Sequence, residues 1–221
     1  MSKIINIALD GPSGSGKTTV AKEISKRLNI AYLDTGAMYR GVAYYMLSKG
    51  IDVADVEKVK ENLNNFTLEV IREDDEQKIL IDKKDVSGLI RTQEISFAAS
   101  TVSKIPEVRL KLVEMQRAIA KSASCVLDGR DIGSYVLPDA EYKFYLTADV
   151  DERAKRRYLE QRAKNMEVTL ERVKTEMIAR DEQDSKRAFA PLVVPTGAFV
   201  IDTTNMTLEE VLDLILSRIN K

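Results

Sequence analysis

Three observations predict an α/β fold built on a parallel sheet. The segment Ile4-Ile5-Asn6-Ile7-Ala8-Leu9 is apolar, β-branched and short enough for a buried strand, and it runs through a glycine-rich turn into a helical pattern over residues 19–28. Strand-like and helical segments then alternate along most of the chain, the sequence form of parallel strands joined by crossover helices. Around residues 66–82 two strand-like runs lie next to each other and interrupt that alternation, so an inserted lobe with a small antiparallel sheet is expected.

In the first helix Val20, Ile24 and Leu28 lie four apart on one face. Ala31-Tyr32-Leu33 is a short second strand ending at Asp34. Residues 37–48 read as a helix closed by Gly50, and residues 54–64 as an amphipathic helix through Val56, Val59 and Leu63. The runs 66–71 and 78–82 are the hairpin strands, separated by the acidic stretch from Glu73 to Gln77. Residues 92–103 and 107–121 are helical in pattern, with Pro106 at the second start. Val126-Leu127, leading to Asp128, resumes the core rhythm, and Tyr142-Lys143-Phe144-Tyr145-Leu146 is the next strand. Asp149 and Glu152 have capping-box spacing ahead of a very basic helix, and a further helix covers 170–186. Ala198-Phe199-Val200-Ile201-Asp202 completes a five-stranded parallel sheet flanked by helices. Thr207 and Glu210 repeat the capping-box spacing before a closing helix with Leu208, Val211, Leu212, Ile215 and Ile219 inward. A single domain is expected, with its core at about 1–36, 122–150 and 170–221, the inserted lobe within about 37–121 and a short helical lid at about 151–169.

Composition narrows the chemistry. A chain of 221 residues that is 44% hydrophobic can bury one substantial core. No run approaches the roughly 18 apolar residues of a membrane span, and the first strand starts too early for a signal peptide. Cys125 stands alone, in an apolar strand context that does not favour a reactive thiol. These features lead to the expectation of a cytoplasmic protein. The net charge of −1 argues against a nucleic-acid surface. Histidine is absent, which excludes His-based acid–base chemistry, His metal sites and Ser-His triads. Arg, Lys, Asp and a metal remain, and phosphoryl transfer is a reaction class that needs nothing else.

The turn Gly11-Pro12-Ser13-Gly14-Ser15-Gly16-Lys17-Thr18 has the spacing G-x-x-x-x-G-K-[ST] between a strand and a helix, the phosphate-binding P-loop. Its glycines let successive N–H groups converge on phosphate oxygens, and the helix N-terminus adds partial positive charge. Lys17 can reach between the β- and γ-phosphates, and the Thr18 hydroxyl can ligate Mg²⁺. A P-loop NTPase fold that binds a nucleoside triphosphate is implied. Ligands of such sheets lie beyond the carboxyl ends of the strands, which directs attention to Asp34-Thr35-Gly36-Ala37-Met38-Tyr39-Arg40 and Asp128-Gly129-Arg130-Asp131-Ile132-Gly133.

With these segments the chain resembles the bacterial cytidylate kinases, within the nucleoside monophosphate kinase family. The resemblance rests on residues 10–18, 34–40, Val-Ser-Gly-Leu-Ile-Arg-Thr-Gln-Glu at 86–94, 128–133 and Ala-Pro-Leu at 190–192, in the family's order, with Thr35 where Ser is also common. It implies Mg²⁺-dependent transfer of the ATP γ-phosphoryl group to CMP or dCMP, in a nucleotide-monophosphate-binding lobe carrying the insert. It further implies ATP binding by residues 11–18 and Thr19, and acceptor binding by Thr35, Tyr39, Arg40, Ser100, Arg109, Arg130, Asp131, Arg180, Asp184 and Arg187. Tyr39, Arg40 and Arg130 suit the acceptor phosphate, a guanidinium fork matching phosphate oxygens. Ser100, Arg109 and Asp131 would read the cytosine edge, the Asp131 carboxylate accepting from the exocyclic amine and repelling a uracil carbonyl.

Spacing alone leaves some of these open. Arg180, Asp184 and Arg187 share a helical face, which by itself reads as a solvated ion pair; the resemblance places Asp184 on the ribose and the arginines near sugar and phosphates. Arg153, Arg156 and Arg157 share a face of the basic helix and read as a lid over ATP, with Arg153 and Arg157 joining Lys17 and Arg130 as catalytic candidates. Asp128 either holds the metal through water or caps a turn. A GTPase switch is disfavoured by the lack of an Asn-Lys-x-Asp element, and an RNA-binding ATPase by the neutral charge and absence of tryptophan. Nothing demands more than a monomer.

Overall fold

The computed structural model describes residues 4–73 and 76–219. It divides into two compact units, one formed by Met1–Tyr32 with Ala123–Lys221, the other by Leu33–Ser122.

The first unit carries the parallel sheet. Its strands are β1 (Asn6–Asp10), β2 (Ala31–Asp34, whose last two residues enter the second unit), β6 (Cys125–Gly129), β7 (Tyr142–Thr147) and β8 (Phe199–Asp202). Their order is β2-β6-β1-β7-β8, and β1–β6, β1–β7 and β7–β8 pair in parallel. The central position of β1 explains its unbroken apolar run: Ile7, Ala8 and Leu9 are completely buried because both faces are covered. The register brings Asp10 level with Gly129 and Tyr145, so the chain leaves β1 and β6 at the same end of the sheet. Helix α1 (Lys17–Leu28) buries Val20, Ala21 and Ile24, and α8 (Leu208–Ile219) buries Val211, Leu212, Ile215 and Ile219. These residues form one core with Phe144, Leu146, Val126 and Ile201. Two more helices, α6 (Val150–Ala163) and α7 (Leu170–Lys186), meet through Ala154, Val173 and Met177.

The second unit holds α2 (Thr35–Ser48), α3 (Val56–Asn62), α4 (Gln93–Val102), α5 (Pro106–Ser122) and a 3-10 turn at Leu89–Arg91. The inserted sheet consists of β3 (Leu68–Glu73), β4 (Glu76–Ile81) and a short β5 (Lys84–Asp85), all antiparallel. Sequence pattern alone predicts the first two strands but ends them at the acidic stretch; backbone pairing continues to Glu73 opposite Glu76, since an exposed ladder end needs no apolar side chains. Asp74 and Asp75, within that predicted separator, lie outside the described residues. The sheet lies on α2 at Gly41, where a Cβ would come within 3.1 Å of Leu68 and Ile79.

Two predicted caps have different outcomes. Thr207 and Glu210 form the full reciprocal box, with the Thr207 N–H donating to Glu210 at 2.7 Å and the Glu210 N–H to Thr207 Oγ1 at 3.3 Å. Asp149 instead accepts from the Asp151 N–H, and Glu152 turns to Arg156, because a guanidinium one turn along is the stronger partner for a carboxylate. Helix α2 starts two residues before its predicted onset, since Asp34 itself is the cap. Among the described residues no helix is long and apolar enough to cross a membrane.

Candidate active site

The predicted phosphate loop fills the space between β1 and α1. Gly11 (φ +147°), Gly14 (φ +75°) and Gly16 (φ +86°) all take positive φ, which side-chain-bearing residues resist. At Gly11 a Cβ would collide with the Leu146 carbonyl, and at Gly14 it would come within 2.8 Å of the Arg153 carbonyl. Inside the turn, Ser15 Oγ donates to the Pro12 carbonyl at 3.0 Å and Lys17 Nζ donates to the same oxygen at 2.7 Å. Burial above all, with Arg130 and Arg180 repelling it, holds the Lys17 ammonium well below the ordinary lysine range, against the pull of Asp128 and Asp10. Thr18 and Thr19, at the start of α1, are exposed. The Thr18 hydroxyl donates to Asp128 Oδ2 at 2.6 Å, and the Tyr32 hydroxyl donates to the other oxygen at 3.2 Å.

Beyond β6 the backbone turns through a five-residue π turn, Ile132–Val136. Its entry is held by Asp10, whose two oxygens accept the N–H groups of Ile132 and Gly133, each at 2.7 Å. Burial, only partly offset by these donors, pushes the Asp10 carboxyl up to about 6. Arg130 and Asp131 stand on the segment so anchored. Arg130 Nε donates to Asp184 Oδ2 at 2.9 Å, and Arg187 lies 3.2 Å from Asp131 Oδ1 while also donating to the Ala190 carbonyl. Burial alone would raise the Asp184 carboxyl, but Arg130, Arg180 and Arg187 outweigh it and hold it below the usual carboxylate range. Five predicted acceptor-binding residues, Arg130, Asp131, Arg180, Asp184 and Arg187, therefore form one cluster in this unit. The face shared by Arg180, Asp184 and Arg187 is buried at Asp184, not solvated.

The three arginines of the predicted lid have separate partners. Arg153 is buried, donating to the Ala148 carbonyl and, through NH1, to the Ser13 carbonyl, each at 3.0 Å. It also pairs with Asp181 at 2.5 Å, and Asp181 accepts the Ser13 N–H at 3.4 Å. Both backbone polar groups of one phosphate-loop residue, Ser13, are thus engaged from α6 and α7. Arg156 donates to the Thr203 hydroxyl and carbonyl at 3.0 and 2.7 Å, and Arg157 pairs with Glu160 at 2.8 Å. Arg162 and Lys164 are exposed.

In the second unit Thr35, Tyr39 and Arg40 lie on α2, Ser100 on α4 and Arg109 on α5. Asp34 caps α2 through the Ala37 N–H at 2.8 Å, and its other oxygen pairs with Arg40 at 2.8 Å and Arg91 at 3.4 Å. Burial works against its charge, yet these two guanidinium groups hold its carboxyl below the ordinary aspartate range. The Arg40–Asp34 pair is thus largely shielded from solvent, its side chains 17% and 12% exposed. Arg109 is 1% exposed; its guanidinium sits 5.4 Å from the centre of the Tyr39 ring and donates to the Ser103 carbonyl at 3.2 Å. Cys125 is buried, its thiol pushed up to about 12 by desolvation, as its apolar context suggests.

Sequence reasoning passes over Asp181 and Gln77, and leaves Asp10 and Arg91, which stand in the matched segments 10–18 and 86–94, without a role. Asp10 directly precedes the loop motif and Asp181 directly follows Arg180, so adjacency is a usable signal for both. Gln77, which meets Asp34, carries none.

The family profile described as cytidylate kinase matches residues 7–221. The chain is 50% identical over 214 residues to a cytidylate kinase of Clostridioides difficile, covering 97% of each chain. It is 48% identical over 214 residues to one of Caldicellulosiruptor saccharolyticus, covering 97% of this chain and 95% of that one. Among solved structures, an uncharacterized protein from Eubacterium ventriosum superposes with a TM-score of 0.51 at 15% identity, over 98% of this chain and 99% of that chain, a likeness of fold.

Proposed function

The chain belongs to the cytidylate kinase family, and on that premise we propose that it transfers the γ-phosphoryl group of ATP to CMP or dCMP, giving ADP and CDP or dCDP. The observation that carries the reading is the gathering of cations around Lys17. Arg130 and Arg180 lie near enough to oppose its charge, while Asp128 and Asp10 pull the other way, and three cations gathered in one place suit a polyanion. A phosphate group brought there relieves their mutual repulsion.

Residues 11–19 bind ATP in this reading, with Lys17 on the β- and γ-phosphates. In the first unit Arg130, Asp131, Arg180, Asp184 and Arg187 serve the acceptor nucleotide, and in the second Thr35, Tyr39, Arg40, Ser100 and Arg109 do. Asp131, oriented by Arg187, accepts the cytosine amine; Asp184 serves the ribose. Arg153 acts at the phosphate loop, which it already touches at Ser13. Arg157 joins the transferring phosphate by leaving Glu160, a half-exposed pair that costs little to break.

The Thr18 hydroxyl and Asp128 carboxylate are hard oxygen donors side by side, a pair that fits Mg²⁺, with Thr18 direct and Asp128 through water. Magnesium would supply charge neutralisation to the β- and γ-phosphates. No general base is required. The attacking group is a phosphate monoester whose second pKa is about 6, so it is ionised near neutrality. Positioning and charge neutralisation by the loop amides, Lys17 and the arginines then lower the barrier. The protein is read as a cytoplasmic monomer working on ATP, CMP and dCMP, without nucleic acid or membrane partners, its core at about 1–36, 122–150 and 170–221 served by an acceptor lobe at about 37–121 and a lid at about 151–169.

The test is ADP release with CMP, dCMP, UMP, AMP and shikimate in parallel. CMP and dCMP should dominate, and a preference for shikimate or AMP would overturn the assignment. Lys17→Met, a near-isosteric apolar replacement, should keep the fold by circular dichroism and lose at least about 10²-fold in kcat.

A further inference from the structure

The inserted sheet makes one polar contact with an unusual form. Gln77, on β4, meets both backbone groups of Asp34: its Oε1 accepts the Asp34 N–H at 2.6 Å and its Nε2 donates to the Asp34 carbonyl at 3.2 Å. A side-chain amide here takes the place of a neighbouring strand for the last residue of β2. Asp34 is also the residue on which α2 begins. Its carboxylate caps the helix at Ala37 and holds Arg40 and Arg91. The fit around it is close, since a Cβ at Gly36 would come within 3.2 Å of Asp34 Oδ1 and 3.3 Å of Arg40 NH1.

We propose that Gln77 is a positioning residue for the acceptor nucleotide, through which the inserted sheet sets the place of the Arg40 guanidinium. The chain of contacts runs from the Gln77 amide to the Asp34 backbone, from the Asp34 carboxylate to Arg40, and every link lies within the second unit. Rotation of the Asp34 peptide moves its carboxylate, and Arg40 follows it. The second anchor of the sheet on α2, the Leu68 and Ile79 packing at Gly41, is apolar and one to two turns away, so it holds the sheet in place without fixing the Asp34 peptide. The insert thereby acquires a task in the reaction although none of its side chains needs to touch substrate.

This role rests on the proposed acceptor function of Arg40, and steady-state kinetics with CMP and ATP varied separately tests both. Gln77→Leu keeps the side-chain size and removes both hydrogen bonds. It should raise KM for CMP about tenfold, leave KM for ATP within twofold and lower kcat by less than about threefold. Gln77→Glu keeps the acceptor and loses the donor, and should fall between wild type and Gln77→Leu. Unchanged CMP kinetics in Gln77→Leu would overturn the positioning role. So would a parallel rise in both KM values with a lowered Tm, which is the signature of general loosening. Should Gln77→Leu fail to fold, Gln77→Glu decides by the same CMP-against-ATP split. If the wild-type protein releases no ADP with CMP, the functional assignment falls first, and that result is distinct from any variant effect.

Discussion

Asp10 and Asp34 each end a strand of the parallel sheet and each is nearly removed from solvent, yet their carboxyls shift in opposite directions. Asp10 is met by two backbone N–H groups and its carboxyl is pushed up to about 6; Asp34 is met by one N–H and two guanidinium groups and is held below the ordinary range. Peptide dipoles compensate a buried charge only in part, whereas full opposite charges at 2.8 and 3.4 Å exceed the desolvation cost. The two carboxylates do different work. Asp10 shapes a backbone, the turn that presents Arg130 and Asp131, while Asp34 places two cations and starts a helix.

The largest effect should come from Asp34→Ala. It strips two arginines of a buried partner and α2 of its cap, and should cost about 3–5 kcal/mol in urea unfolding. The lowered carboxyl fixes the pH signature. Asp34 stabilises the fold at all pH values above its unfolded pKa of 3.8, and that contribution is lost as pH falls through the lower folded value. The gap between wild type and variant should be level from neutrality to about pH 4 and shrink below it.

Asp10→Asn should cost less at neutral pH, about 1–3 kcal/mol, because an amide accepts one of the two N–H groups and confronts the other. Here the sign reverses. A folded pKa of about 6 against 3.8 unfolded means the native state takes up a proton that the unfolded chain does not, so acidification between those values stabilises wild type. The gain is at most roughly 3 kcal/mol, and Asp10→Asn lacks it. The wild-type advantage should widen from pH 6 to pH 4, where that of Asp34 is still level. Equal pH profiles for the two variants would break the comparison.

What can be read from the residues alone follows the same division. Ile7, Ala8 and Leu9 announce a central strand because burial on both faces demands an unbroken apolar run, and helical spacing gives the inward face of α8 at Val211, Leu212, Ile215 and Ile219 but not at Leu208, which is exposed in the first turn. The phosphate loop is legible because three positive φ values and a lysine must fall at set intervals. Partnerships across the chain leave no such trace. Gln77 and Asp34 are 43 residues apart, Asp181 and Ser13 are 168 apart, and neither pair imposes a period on the sequence between them. Carboxylate positions are therefore predictable where carboxylate partners are not.

The two helix caps carry this to the surface, where the smallest effect is expected. Asp149–Glu152 and Thr207–Glu210 have identical spacing, but only Glu210 returns to its cap residue, while Glu152 pairs with Arg156 at 2.9 Å. Glu210→Ala removes the acceptor for the Thr207 N–H and should lower Tm by about 2 °C. Glu152→Ala removes one half-exposed i,i+4 pair from an arginine that still donates to Thr203, and should lower Tm by less than about 1 °C. High salt separates them further, since a pair of opposite charges is screened and a hydrogen bond to backbone is largely not. At about 1 M salt the Glu152→Ala difference should vanish while most of the Glu210→Ala difference persists. Loss of both would place the two glutamates in one class and remove partner identity as the deciding variable.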